Sequence, residues 1–243
     1  MGYRSSGMIF PFKGKSDEII DLVNSWTEKN FKILESNLKA NENIELEFVQ
    51  NNLVILHNHS FFLSAYENKE LWHEKLKKCS LNEWVIFFEC IDSADAASYL
   101  IFKNNTEVRR VTESGNQNFY QEGEPQDFEE EWLNASIGYE HCYQDGDEWK
   151  EEIITYPDFP IDEVEDWEDY FKFYFIGSIE NSTNHLARKL LSDLSKEYLG
   201  FDFINDFYEV QNKISLGDGV FSENIEIPAQ HKKSLLQKLL FWK

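Results

Sequence analysis

The eight residues Trp84-Val-Ile-Phe-Phe-Glu-Cys-Ile91 constrain the fold of this chain more than any other stretch. Seven are apolar, none is Gly or Pro, and β-branched and aromatic side chains dominate. A short apolar run of that composition predicts a central, buried strand rather than a helix. Other strands must therefore flank it. Candidates are close by. Ile44, Leu46 and Phe48 alternate with Glu45 and Glu47, Gln50-Asn51-Asn52 is a turn signal, and Leu53 to Leu56 is continuously apolar, so 44–59 reads as a hairpin. Tyr99–Lys103 and Glu107–Thr112 flank Asn104-Asn105-Thr106 and predict a second hairpin.

Helical patterns lie toward the two ends. Ser16 with Asp17 and Glu18 marks a helix start, and Ile19, Ile20, Val23 and Trp26 fall on one face. A shorter helix is expected at 69–79. Leu186, Leu190, Leu191, Leu194 and Tyr198 form the stripe of a helix over 184–199, with Asn181-Ser182-Thr183 offering N-caps and Gly200 suited to the C′ position. Pro228 opens a last helix that is basic at Lys232, Lys233 and Lys238 and apolar at Leu235, Leu236, Leu239 and Leu240. Tyr170–Ile176 alternates Phe171, Phe173 and Phe175 on one side and predicts a strand. No strand–helix repetition demands a parallel sheet. The expected class is α+β, a mainly antiparallel sheet with helices at both ends and an acidic, loop-rich insertion. One domain over 1–243 is expected, with a split near 120 or 170 as the alternative.

The insertion is where the charge sits. The formal net charge is −22, from 45 acids and 23 bases. Residues 121–169 hold 19 of the acids against Lys150 alone, a net −18, so the other 194 residues carry only −4. Phe128, Trp132, Tyr139, Tyr143, Trp149, Tyr156, Phe159 and Trp167 interrupt the acids, unlike a purely solvating tract. Gly123, Pro125, Gly138, Gly146, Pro157 and Pro160 predict mostly loop and short elements. A pI near 4.6 argues against nucleic acid and anionic membranes as partners. The longest apolar run, Trp84–Phe88, is far short of a bilayer span, and the N-terminus has no secretory h-region. Cys79, Cys90 and Cys142 form neither a disulfide framework nor a metal pair, and Cys79 and Cys90 read as buried reduced thiols. A cytoplasmic protein is the expectation.

Three functional readings follow. The first is an intracellular binding protein whose acidic, aromatic-bearing face docks a basic partner. Glu129, Glu130, Glu131, Asp162, Glu163 and Glu165 would pair with its cations, and Trp132, Trp149 and Trp167 would anchor it. No cofactor is implied. The second is a metal-assisted hydrolase using His57 and His59, two residues apart on a strand, with Asp92 and Asp95 after the next strand. The bland reading of those residues is a strand end and a turn. The third is acidity that serves solubility alone.

Other motifs resolve simply. Asp145-Gly146-Asp147-Glu148 fails the EF-hand spacing, because its fifth, sixth and twelfth positions are Trp149, Lys150 and Tyr156. There is no GxGxxG, Walker loop, HExxH or GxSxG. His185 and Arg188 in the first turns of the 184–199 helix offer an anion site or a solvated face. Arg109-Arg110 reads as an internal partner for the acidic segment.

One resemblance bears on the first reading. The run Tyr99-Leu-Ile-Phe-Lys-Asn-Asn-Thr-Glu-Val-Arg-Arg-Val, followed by Gly123-Glu-Pro-Gln-Asp-Phe-Glu-Glu-Glu131, resembles a hairpin-plus-GEP segment of uncharacterised bacterial proteins. Some of these resemble immunity proteins of polymorphic toxin systems. The resemblance covers about 33 residues. It favours the first reading, in which a secreted nuclease or other basic toxin domain is one target, and assigns no functional residue.

Overall fold

The computed structural model describes residues 4–35, 38–79, 81, 83–94, 96–115, 118–145, 148–155, 170–206, 208–219 and 221–222. In chain order the strands are β1 (Arg4–Pro11), β2 (Lys32–Ile33), β3 (Leu38–Lys39), β4 (Glu42–Val49), β5 (Leu53–His57), β6 (Trp84–Ile91), β7 (Ala96–Lys103), β8 (Thr106–Ser114), β9 (Asn118–Gly123), β10 (Ser136–Asp145), β11 (Glu148–Thr155), β12 (Tyr170–Ile176), β13 (Ser178–Thr183), β14 (Asn212–Asp218) and β15 (Phe221–Ser222). The helices are α1 (Ser16–Thr27), α2 (His59–Glu67), α3 (Lys69–Lys78), the one-turn α4 (Glu130–Leu133) and α5 (Leu186–Leu199).

The class is α+β. Nine strands form one sheet in the order β2-β14-β4-β5-β1-β6-β7-β8-β9, and every pairing in it is antiparallel. The predicted central strand is β6, inside that sheet as expected. Its neighbour β1 was not foreseen. Met8-Ile9-Phe10 is too short an apolar run to announce a strand, yet β1 is inserted between β5 and β6 and joins the two halves of the sheet.

Alternation along the central strands sends side chains to two separate cores. Met8, Phe10, Val54, Leu56, Val85, Phe87, Leu100 and Phe102 face α1, α2 and α3, where they meet Trp26, Phe61 and Trp72. Ile9, Ile55, Ile86, Phe88, Tyr99 and Ile101 face the other way, onto Leu186, Leu190, Leu191 and Leu194 of α5. Helices cover both faces of the central strands, which is why Leu53 to Leu56 and Trp84 to Phe88 are apolar at successive positions rather than at alternate ones. Each fully buried large side chain stabilises the fold by roughly 1.5–3 kcal/mol.

The β7–β8 hairpin turns on Asn104 and Asn105, both with positive φ, as a two-residue turn requires. Gly200 caps α5 in the left-handed conformation, as its position predicted. The other end of α5 differs from expectation. Asn181, Ser182 and Thr183 belong to β13, and Thr183 Oγ1 accepts only the His185 amide, at 3.2 Å. The cap comes instead from Glu113 of β8, whose Oε2 accepts the Ala187 amide at 2.9 Å. The anion at this helix N-terminus is thus a buried carboxylate of the same chain, and burial raises its pKa.

The acidic segment departs most from the sequence reading. Over 136–155 it is a β-hairpin, not loop. β10 and β11 join β12 and β13 in a four-stranded antiparallel sheet of order β11-β10-β12-β13. Gly138 looked like a breaker, but it is a strand residue over which the Phe173 ring lies. A Cβ there would sit 2.4 Å from Phe173 Cζ. Tyr174, Ile137 and Ile176 pack this sheet against the α5-side core. The expected C-terminal helix from Pro228 lies outside the described residues. No described helix is long and apolar enough to cross a membrane.

Glu113→Ala removes the α5 cap and leaves a buried amide without an acceptor. It should lower stability by about 1–2 kcal/mol, read as a shift of the urea midpoint at unchanged m-value.

Candidate partner-docking groove

Arg109 fixes the start of the acidic segment. Its side chain is 1% exposed and that of Glu129 is 0% exposed, and Arg109 Nε lies 2.9 Å from Glu129 Oε2. The rest of the guanidinium is also used. Nη1 donates to the Gly123 carbonyl at 2.9 Å, and Nη2 donates to Gln121 Oε1 at 2.6 Å. Tyr99 donates its hydroxyl to Glu129, and the Gln126 amide donates to Glu129 Oε2 at 2.8 Å. Burial, with the neighbouring Glu129 carboxylate, holds the Tyr99 hydroxyl well above its ordinary pKa, so it remains a donor. Gly123, at φ +83°, lets the chain leave β9 close to β8, since a Cβ would lie 2.1 Å from the Val108 carbonyl oxygen.

This network confirms Arg109 as an internal partner of the acidic segment. Arg110 pairs with Glu107 of its own strand instead, at 2.8 Å. The network also corrects two expected docking residues. Glu129 is sealed inside the fold and has no surface to offer a partner. Trp132 is 5% exposed, belongs to the α5-side core, and has Lys189 Nζ 5.0 Å from its ring centre. Its burial follows from α4, which turns the apolar face of Trp132 inward and Glu130 and Glu131 outward. Asp162, Glu163, Glu165 and Trp167 lie outside the described residues, as does the side chain of Trp149.

Glu130 and Glu131 are exposed, and the structure brings them together with Asp127. These three carboxylates line an open cavity of about 450 Å³ whose other walls include Phe175, Ile176 and Ser136. Among the described residues, none of the three has a cationic side chain within ion-pair distance. Phe175 leads on to Phe173, with ring centres 5.8 Å apart. Phe173 lines a second cavity of about 190 Å³ with Glu140, Ile153 and Ile179. Phe171 continues the row, and the register places Phe171, Glu140 and Ile153 side by side across three strands. Phe171, Ile153 and Ile179 are each more than two-fifths exposed. The result is a groove with an apolar floor and an acidic rim, and among the described residues no Lys or Arg lines either cavity.

Sequence reasoning found the rim at Glu130 and Glu131 but not the floor. The alternation of Phe171, Phe173 and Phe175 was legible, but a strand's apolar side is ordinarily the buried one. Only the placement of Tyr174 on the inner face shows that the Phe row lies on the other side, where Phe171 is exposed and Phe173 is covered.

The metal reading finds no ligand set. His57 ends β5 and His59 begins α2, so the two rings do not share a strand face. His57 Nε2 lies 3.1 Å from Glu47 Oε2, and His59 Nδ1 lies 2.8 Å from Glu89 Oε1. Asp92 pairs with Arg188 at 2.6 Å. Asp95 lies outside the described residues. Among the described residues, no three His, Cys, Asp or Glu side chains come together to hold a metal ion.

His57 does belong to another cluster. Ser5 Oγ is 3.4 Å from His57 Nδ1, the Tyr208 hydroxyl donates to Glu47 Oε2 at 2.6 Å, and Lys213 Nζ lies 3.3 Å from Glu47 Oε1. The order Ser–His–Glu resembles a hydrolytic triad, but Ser5 is buried and Glu47 is engaged by three donors from three different segments. The cluster acts as a clamp joining β1, β4, β5, β14 and the chain after α5. No protein family, curated protein or solved structure matches the chain.

Two outcomes test these networks. Arg109→Ala leaves the Glu129 carboxylate buried and unpaired and should destabilise the fold by roughly 3–5 kcal/mol, measured by urea unfolding. Glu47 has its pKa lowered from 4.5 to about 2, chiefly by the hydrogen bond with His57 and against the opposing effect of burial. A depressed folded-state pKa gives stability that is complete above 4.5 and is lost as pH falls toward 2. Unfolding free energies measured from pH 6 to pH 2.5 should therefore show the gap between wild type and Glu47→Gln closing over that window.

Proposed function

We propose that this chain is a binding protein that captures a basic protein partner in the acid-rimmed groove on the four-stranded sheet. The carrying observation is the cavity ringed by Asp127, Glu130 and Glu131, which have no cationic partner among the described residues, over a floor of Phe175 and Ile176. Unpaired carboxylates around an apolar floor suit a Lys or Arg side chain, whose alkyl stem packs on rings while its charge meets the rim. The regional net charge of −18 adds long-range attraction, which raises association rates. Exposed apolar side chains supply the burial that charge alone does not give.

Within this reading the partner is a basic toxin domain, and the chain is its immunity-type inhibitor. Occupied carboxylates on a nuclease-like domain would block the cations it uses for phosphate. The resemblance of 99–131 to proteins akin to immunity proteins supports that choice. A cytoplasmic site of action fits the two described cysteines, which are free thiols. Cys90 is buried, with its pKa raised chiefly by that burial, and Cys79 is half-buried beside Ser25.

The test is the association rate with a basic protein recovered by pull-down from the native cell. The rate should fall at least tenfold between 20 and 300 mM salt. Asp127→Lys with Glu130→Lys and Glu131→Lys should weaken binding at least a hundredfold at an unchanged unfolding midpoint. Equal binding by the reversed variant removes the proposal.

A further inference from the structure

The strongest concentration of cationic and apolar groups in this chain is its own end. Residues 227–243 contain Lys232, Lys233, Lys238 and Lys243, no Asp or Glu, and Leu235, Leu236, Leu239, Leu240, Phe241 and Trp242. In a protein of net charge −22 this segment is the chemical inverse of the groove. We propose that the C-terminal segment 227–243 is an intramolecular occupant of the groove, with its lysines on Asp127, Glu130 and Glu131 and its Leu and aromatic side chains on the Phe171–Phe175 row. The inference rests on the groove being the docking surface proposed above, and it adds a built-in competitor to that surface.

Three observations carry it. First, the charges complement each other. Three carboxylates without a described cationic partner face one cavity, and four lysines without a neighbouring acid lie in one segment. Second, the floor needs a cover. Phe171, Ile153 and Ile179 are exposed on the second sheet, and exposed apolar side chains gathered in one place mark an interaction site. Third, the reach suffices. The last described strand, β15, ends at Ser222, and 21 residues follow it. Fully extended they reach ~70 Å. The segment from Pro228 onward is ~24 Å long if helical, against ~13 Å for the strand from Phe171 to Phe175.

Such an occupant has a definite consequence. A partner must displace the segment, so its apparent affinity is reduced by the fraction of molecules in which the groove is filled. The segment shields the apolar row when no partner is present and gives way to a partner of higher charge or better fit.

Zero-length carbodiimide coupling of the full chain at micromolar concentration tests this directly. In 20 mM salt the monomer band should contain links from Lys232, Lys233, Lys238 or Lys243 to Asp127, Glu130 or Glu131, at least fivefold more abundant than in 500 mM salt. The variant Lys232→Glu with Lys233→Glu and Lys238→Glu should lose those links. It should also bind a synthetic peptide of residues 227–243 at least fivefold more tightly than wild type does. Links that map to other acids, that appear only in the dimer band, or that are absent would overturn the intramolecular occupant. In that event, peptide binding abolished by Glu130→Lys and Glu131→Lys would still leave the groove as a cation-docking surface. If the peptide binds the triple variant and its charge-reversed groove equally, the docking reading falls as well.

Discussion

The ion pair of Arg109 with Glu129 is the interaction on which the functional geometry depends. It ties the acidic segment to β8 of the large sheet, inside a shell made by Tyr99, Gln121, Gly123 and Gln126. A buried pair seldom adds net stability over an apolar substitute, but removing one member leaves an uncompensated charge and is costly. Its value here is positional. The Gln126–Glu129 capping box begins the turn that becomes α4, and α4 then turns Trp132 inward and Glu130 and Glu131 outward. One carboxylate of the acidic cluster is spent on holding the others in place.

The second sheet completes the arrangement. Its inner face is anchored through Ile137 and Tyr174, which leaves Phe171, Phe173 and Phe175 on the outer face. Docked on the α5 side, the sheet brings its apolar row alongside the carboxylates of α4. The large sheet itself takes no part in the groove. Its role is rigidity, because both of its faces are packed by helices and little can shift beneath the site.

Much of the fold was legible because its strongest elements are locally determined. The β6 run, the Asn104-Asn105 turn and the α5 stripe with Gly200 each carry their own signal over a few residues. What stayed hidden was set by distant contacts. β1 is a strand because β5 and β6 flank it, and Glu113 caps α5 from 74 residues away. The hairpin at 136–155 was obscured by its charges. Strand propensity there rests on alternating aromatic residues such as Tyr139 and Tyr143, and Gly138 gives a misleading break signal. Of the expected site, Glu130 and Glu131 could be read from charge density alone. Charge density could not distinguish them from Glu129, since burial beside an arginine leaves no mark in composition.

The central claim is that the outer face of the second sheet, with its acidic rim, is where cationic segments bind. Hydrogen exchange of the full chain, with and without a saturating lysine- and leucine-rich peptide in low salt, measures this most directly. The account predicts slowed exchange confined to 127–136 and to the strands β10 to β13, with β4, β5 and β14 unchanged. Protection spread evenly over the surface, or centred on the far side of the large sheet, would contradict it.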